Sequence, residues 1–129
     1  MISMKHLILT LSLILGATSV SANDKPFAVG DVFFCQMEAF TQWKGTDRKL
    51  KNYKLEKFKF SIVDLNTVKF GRLGTFDDNE MKIDDFGYSL QWVTASDEFS
   101  KMRIERSNFT FAGVWFEDAA LIAATCDRF

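Results

Sequence analysis

Apolar and polar side chains alternate with a period of two along most of this chain. The clearest case is residues 54–63, where Phe58, Phe60 and Ile62 alternate with Lys57, Lys59 and Ser61. A helix would scatter those apolar groups around its surface, whereas a strand sorts them onto one face. Residues 64–67 read as a turn, and Val68 and Phe70 around Lys69 then repeat the alternation, which predicts a hairpin. Upstream, residues 31–43 predict one long, bent strand. Strict alternation puts Phe33, Cys35, Met37, Ala39 and Trp43 on one face and Phe34, Gln36, Glu38 and Phe40 on the other. Residues 44–52 are polar around Gly45 and read as a loop.

Downstream, residues 72–79 are rich in glycine and aspartate and predict another loop. Residues 80–84 form a short strand with Met81 and Ile83 on one side, and residues 85–87 turn the chain. Tyr88, Leu90 and Trp92 then alternate with Ser89, Gln91 and Val93. Met102 and Ile104 alternate with Lys101, Arg103 and Glu105. Phe109, Phe111, Gly113 and Trp115 alternate with Thr110, Ala112, Val114 and Phe116. Residues 117–126 admit two readings. Glu117 and Asp118 before an alanine-rich run suit a helix start, but the run is short and Ile122 and Thr125 are β-branched, which favours a turn and a strand. Together these segments predict an all-β fold, a small antiparallel meander of about eight strands closed into a barrel or a flattened sandwich. Such an interior is filled by side chains or holds one small ligand.

The start of the chain breaks the pattern. Lys5 precedes an almost wholly apolar run over residues 7–20, and Val20-Ser21-Ala22 offers small residues for cleavage. Residues 1–22 therefore read as a signal peptide and residues 23–129 as a single all-β domain, periplasmic or secreted. The run is shorter than the ~20 residues of a membrane-spanning helix, so no membrane insertion is expected after cleavage. No cysteine stands at the cleavage point to carry a lipid. Residues 23–30, with the one proline, Pro26, read as an extended lead-in.

In an exported chain, two cysteines pair more often than not. A Cys35–Cys126 bond requires the first and last strands to be neighbours, as in a closed meander.

Removing the leader also removes Lys5 and His6, leaving 15 Lys+Arg against 17 Asp+Glu. That near-neutral balance argues against a nucleic-acid partner. Without histidine the mature chain lacks the usual general base and zinc ligand, and with both cysteines bonded it lacks a thiolate. Residues 71–74 lack the lysine and hydroxyl of a phosphate loop. Asp77, Asp78, Glu80, Asp84 and Asp85 cluster, but without the spacing of a calcium loop, and read as solvated. No enzyme activity, cofactor or metal is expected.

The alternation also sorts the outward faces. Lys57, Lys59 and Lys69 point out from the hairpin, behind a loop carrying Lys44, Arg48, Lys49, Lys51 and Lys54. This basic end could meet an anionic surface, or simply guard the sheet against aggregation. Near the cysteines the outward set is apolar: Phe34 with Val32, then Ala112, Val114 and Phe116, then Leu121 and Ala123. Soluble monomers rarely leave such a patch bare. Its cover would be the lead-in with Phe27 and Val29, Phe129, a second copy, or another protein. Asn108-Phe109-Thr110 matches a glycosylation acceptor and reads better as a turn entering a strand.

These features point to a binding or inhibitory module that meets an unknown protein partner or itself. A leader, an all-β barrel and one early and one late cysteine resemble the layout of small periplasmic lysozyme inhibitors. The resemblance is of arrangement only and implies no role for any residue, because the serine-glycine and tyrosine-cysteine motifs of that family are absent. The alternative is a carrier of a small apolar ligand inside the barrel, in a cavity lined by Leu90, Trp92 and Phe111.

Overall fold

The computed structural model describes residues 25–72, 74–87 and 91–129. The expected leader and the segment containing Tyr88 and Leu90 lie outside them. Nine strands follow one another: β1 (Val32–Lys44), β2 (Lys49–Asn52), β3 (Lys57–Asp64), β4 (Thr67–Phe70), β5 (Glu80–Phe86), β6 (Trp92–Ser96), β7 (Ser100–Glu105), β8 (Asn108–Trp115) and β9 (Asp118–Arg128). Every pairing is antiparallel. The sheet order is β2-β1-β3-β4-β5-β6-β7-β8-β9, and β9 pairs back onto β1. β2 and β3 share one edge of β1, β2 along its second half and β3 along its first. The closed wall therefore has eight strands, a barrel rather than a flattened sandwich, and β2 extends it. The last segment is strand β9 and not a helix.

Cys35 and Cys126 are bonded, and they stand directly opposite each other in the β1–β9 register. Above them the inward side chains stack in layers that run across the strands. Met37, Ala124, Phe109 and Ile104 form one layer; Phe40, Ile122, Phe111 and Met102 form the next. On β3, Phe60 stacks on its register partner Phe33 with ring centroids 4.6 Å apart, meets its other partner Phe70 at 5.5 Å, and reaches Phe109 of β8 across the barrel at 5.6 Å. Each fully buried ring contributes ~2–3 kcal/mol through removal from water. The interior is packed with side chains from the disulfide up to the second layer.

The lead-in closes one end. Phe27 is buried edge-on against Phe33, centroids 5.1 Å apart. The Arg128 guanidinium lies 4.8 Å from the Phe27 ring centroid and donates hydrogen bonds to the Lys25 carbonyl at 2.6 Å and to the Asp31 carboxylate at 3.4 Å. A buried charge is tolerable there because it is both paired and hydrogen-bonded.

Four expectations are corrected. A β-bulge between Met37 and Ala39 makes Glu38 an extra residue, so the faces switch within β1. Phe40 and Gln42 point in, while Ala39, Thr41 and Trp43 point out, the reverse of strict alternation. Residues 49–52, read as loop, form β2; all four are exposed, so no inward side chain marked them. In β6, Val93 and Ala95 face the core. Trp92 faces out beneath the Arg103 guanidinium, 4.7 Å from its ring centroid. The turn expected at residues 85–87 begins later, since Asp85 and Phe86 still pair with β6.

Candidate functional site

The bulge and the register together build an apolar row on the outside of the barrel. Leu50, Trp43, Ala119 and Val114 follow one another across β2, β1, β9 and β8. One step along the strands, Asn52, Thr41, Leu121 and Ala112 form a parallel row. Leu50 is 70% exposed, Val114 62% and Leu121 53%. Phe116 stands at the end of this face. Trp115 pairs with Asp118, so Phe116 and Glu117 form the two-residue turn between β8 and β9. Phe116 is 96% exposed and has a φ of 51°. Its nearest ring is that of Phe99, 6.4 Å away between centroids. The left-handed region costs a side chain with a Cβ about 1–2 kcal/mol, which is why glycine and asparagine favour such turns.

Val114, Phe116 and Leu121 thus share one face, and Trp43 and Leu50, which strict alternation misassigned or left in a loop, join it. Phe34 does not. It lies opposite Asp127, six residues along β9 from Leu121, ~20 Å at the rise of a strand. Phe129 packs edge-on against Phe34, centroids 5.2 Å apart. The lead-in is engaged at the closed end through Phe27. Among the described residues, therefore, neither the lead-in from Lys25 nor Phe129 covers the face around Val114 and Phe116.

The basic side chains are partly neutralised. Lys69 pairs with Glu80 at 3.9 Å, and Lys51 pairs with Asp47 at 3.3 Å. Lys57 and Lys59 border a shallow concavity of about 450 Å3 together with Phe34, Phe58, Asp127 and Arg72. Arg72, not singled out by the strand pattern because it lies in a loop, pairs with Asp78 at 3.3 Å. Of the acidic cluster, Asp84 accepts a hydrogen bond from the Ser96 hydroxyl at 2.9 Å, and Asp78 and Glu80 hold the ion pairs just given. Among the described residues, no group of three or more histidine, cysteine or acidic side chains is placed to hold a metal.

A second concavity, of about 440 Å3, occupies the barrel end opposite the lead-in. It lies above an inward layer that is small or polar: Ser100, Gly113, Ala120 and Gln42 succeed one another across β7, β8, β9 and β1, with the Trp115 indole taking the space over Gly113. Its walls are Phe40, Phe111, Trp115 and Ile122, with Phe76 and Phe99 from the neighbouring loops. Glu56 holds one of those loops in place by accepting hydrogen bonds from the Thr75 N–H and hydroxyl at 3.0 and 2.5 Å. Phe111 lines this mouth as expected of a ligand cavity, but Trp92 is on the outside and Leu90 lies outside the described residues.

Asp97 is the charged residue of the mouth. Burial pushes its carboxyl up, but hydrogen bonds from the Ser100 hydroxyl, the Phe99 N–H, the Asn79 amide and the Ser100 N–H outweigh that effect and hold it below the ordinary aspartate value. Oδ1 receives the two backbone bonds and the Ser100 hydroxyl at 2.7–3.0 Å, whereas Oδ2 has one long contact, Asn79 at 3.4 Å.

Comparisons with protein-family models, with curated proteins and with solved structures found no match.

Proposed function

We propose that this chain is a small binding protein of an oxidising compartment, periplasmic or secreted, that docks another protein on the outer face of β2, β1, β9 and β8. The disulfide supports the compartment, since such bonds persist where thiols are not kept reduced. The observation that carries the docking reading is Phe116. A large apolar side chain in water, on a backbone that favours glycine, is two costs that folding alone does not explain. It sits at the end of an in-register apolar row that no described residue of the chain covers. Aromatic anchors beside aliphatic neighbours are the composition of interface hot spots. A docking role asks for no general base and no free thiol, which agrees with a single histidine at His6 and two bonded cysteines.

The test is cross-linking capture from extracts of the protein's own host, with native protein and the variants Phe116→Asn and Val114→Glu run side by side. A partner cross-linked to native protein and lost from both variants, each still folded by circular dichroism, is the expected result. Capture profiles that do not differ between native protein and variants would overturn the proposal.

A further inference from the structure

We propose that the open mouth of the barrel is a binding site for a small organic amine with an apolar, preferably aromatic, body. The site is separate from the outer face, so either can fail without the other.

Three observations carry it. First, the hollow follows from the register. The inward layers below are mostly Phe, Ile and Met, whereas the next is Ser100, Gly113, Ala120 and Gln42; the Trp115 indole lies over Gly113, and about 440 Å3 beside it stays unfilled. That volume lies within the ~300–1,000 Å3 typical of small-molecule sites. Second, the walls are aromatic. Phe111 and Trp115 stack at 6.2 Å, and Phe76 meets Phe111 edge-on at 5.1 Å, so ring faces and edges line the space. Aromatic faces attract organic cations as well as apolar bodies. Third, the charge is of one sign. Asp97 is ionised at neutral pH, and no ion pair among the described residues includes it. Its Oδ1 is committed to the turn, but Oδ2 has only the long contact from Asn79, itself a mouth residue, and keeps acceptor capacity. Gln42 makes no side-chain hydrogen bond among the described residues and adds an unspent amide to the wall. An apolar body in the aromatic layer and an ammonium at Asp97 satisfy both halves of the site; a carboxylate head would face Asp97 with like charge.

The test uses calorimetric titration of the folded protein with 4-phenylbutylamine, 4-phenylbutanol and 4-phenylbutyrate, which share one body and differ in head-group charge. The amine should bind saturably, about fivefold or more tighter than the alcohol, as expected for a partly exposed charge pair assisted by aromatic faces. The carboxylate should bind weakest. Asp97→Asn keeps the turn acceptor and removes the charge, so it should erase the amine's advantage while leaving the alcohol's affinity in place. Ala120→Phe should fill the hollow and abolish binding of all three. No saturable binding by folded protein, equal affinity for amine and carboxylate, or binding that survives Ala120→Phe would each overturn the site.

Discussion

Cutting the Cys35–Cys126 bond should destabilise the barrel through the unfolded chain and not through the native one. The two cysteines are 91 residues apart in sequence. Loop-closure entropy for a ring of that size corresponds to ~4.6 kcal/mol at 25 °C. On the native side the bond is redundant for geometry, because β1 and β9 already share ten cross-strand pairs, from Phe33 with Arg128 to Trp43 with Ala119. We therefore expect a loss of about 3–4.5 kcal/mol, a sizeable part of the ~5–15 kcal/mol by which domains are stable. The assay is urea unfolding of oxidised protein, of reduced protein, and of the Cys35→Ala/Cys126→Ala variant, followed by tryptophan fluorescence. With a urea slope of ~1–1.5 kcal/mol per molar, the midpoint should fall by about 2–4.5 M. The slope itself should rise, since an uncrosslinked unfolded chain exposes more surface. The near-ultraviolet spectrum without denaturant should not change. A loss below ~1 kcal/mol, or a native spectrum altered by reduction, would refute the assignment of the effect to the unfolded state.

Other expectations concern single sites. Phe60→Ala removes a ring that is 1% exposed and packs on Phe33, Phe70 and Phe109. It should cost about 3–5 kcal/mol in urea unfolding, and Phe60→Leu markedly less. Phe116→Asn should stabilise the fold by about 0.5–1 kcal/mol, because asparagine tolerates the left-handed turn and no packing is lost. A destabilised variant would mean that Phe116 packs in solution. Asp97 is held below its ordinary value, so its contribution is fully present above the unfolded aspartate pKa and fades as the pH falls through the lower folded value. The stability gap between native protein and Asp97→Ala should therefore be constant from neutrality to about pH 5 and shrink below about pH 4, measured as urea midpoints across that range.

Much of the wall was legible because β3, β4, β7, β8 and β9 each have one buried face, and burial imposes alternation on the sequence. Val114 and Leu121 could be placed outside for the same reason, since each lies between inward neighbours. The disulfide was legible from two cysteines in a chain that reads as exported. What escaped has physical causes. β2 carries no inward side chain, so there was no period to read. Trp92 is large and apolar yet lies outside, shielded by Arg103, and Val93 beside it is the core residue. A cavity with Phe111 in its wall was expected, but its position at the mouth was not, because a hollow is marked by small residues such as Ala120 and Ser100, which no hydrophobic count rewards. One signal was available: Phe40 falls on the polar side of strict alternation in β1, and a misplaced aromatic is what an extra residue produces.

That extra residue connects the two proposed sites. Glu38 stands between Met37, which pairs with Ala124, and Ala39, which pairs with Ala123. Its carboxylate accepts a hydrogen bond from the Thr125 hydroxyl on the outside of the wall. Because the bulge absorbs one residue, Phe40 and Gln42 reach the mouth and Thr41 and Trp43 reach the outer row. Deleting Glu38 would join Met37 directly to Ala39 and leave a regular strand with the same faces. On the other edge of β1 the irregular segment between β2 and β3, where the Met37 N–H bonds the Glu56 carbonyl and the Tyr53 N–H bonds the Phe40 carbonyl, can take up the shift. That deletion should cost no more than ~2 kcal/mol and keep both sites. Deleting Thr41 removes the same length of chain but turns Gln42 outward and Trp43 inward, so it should lose both sites together and cost ~3 kcal/mol or more. Urea unfolding and amine titration of the two deletions decide the matter: equal damage from both would mean that the strand does not depend on which residue is spare.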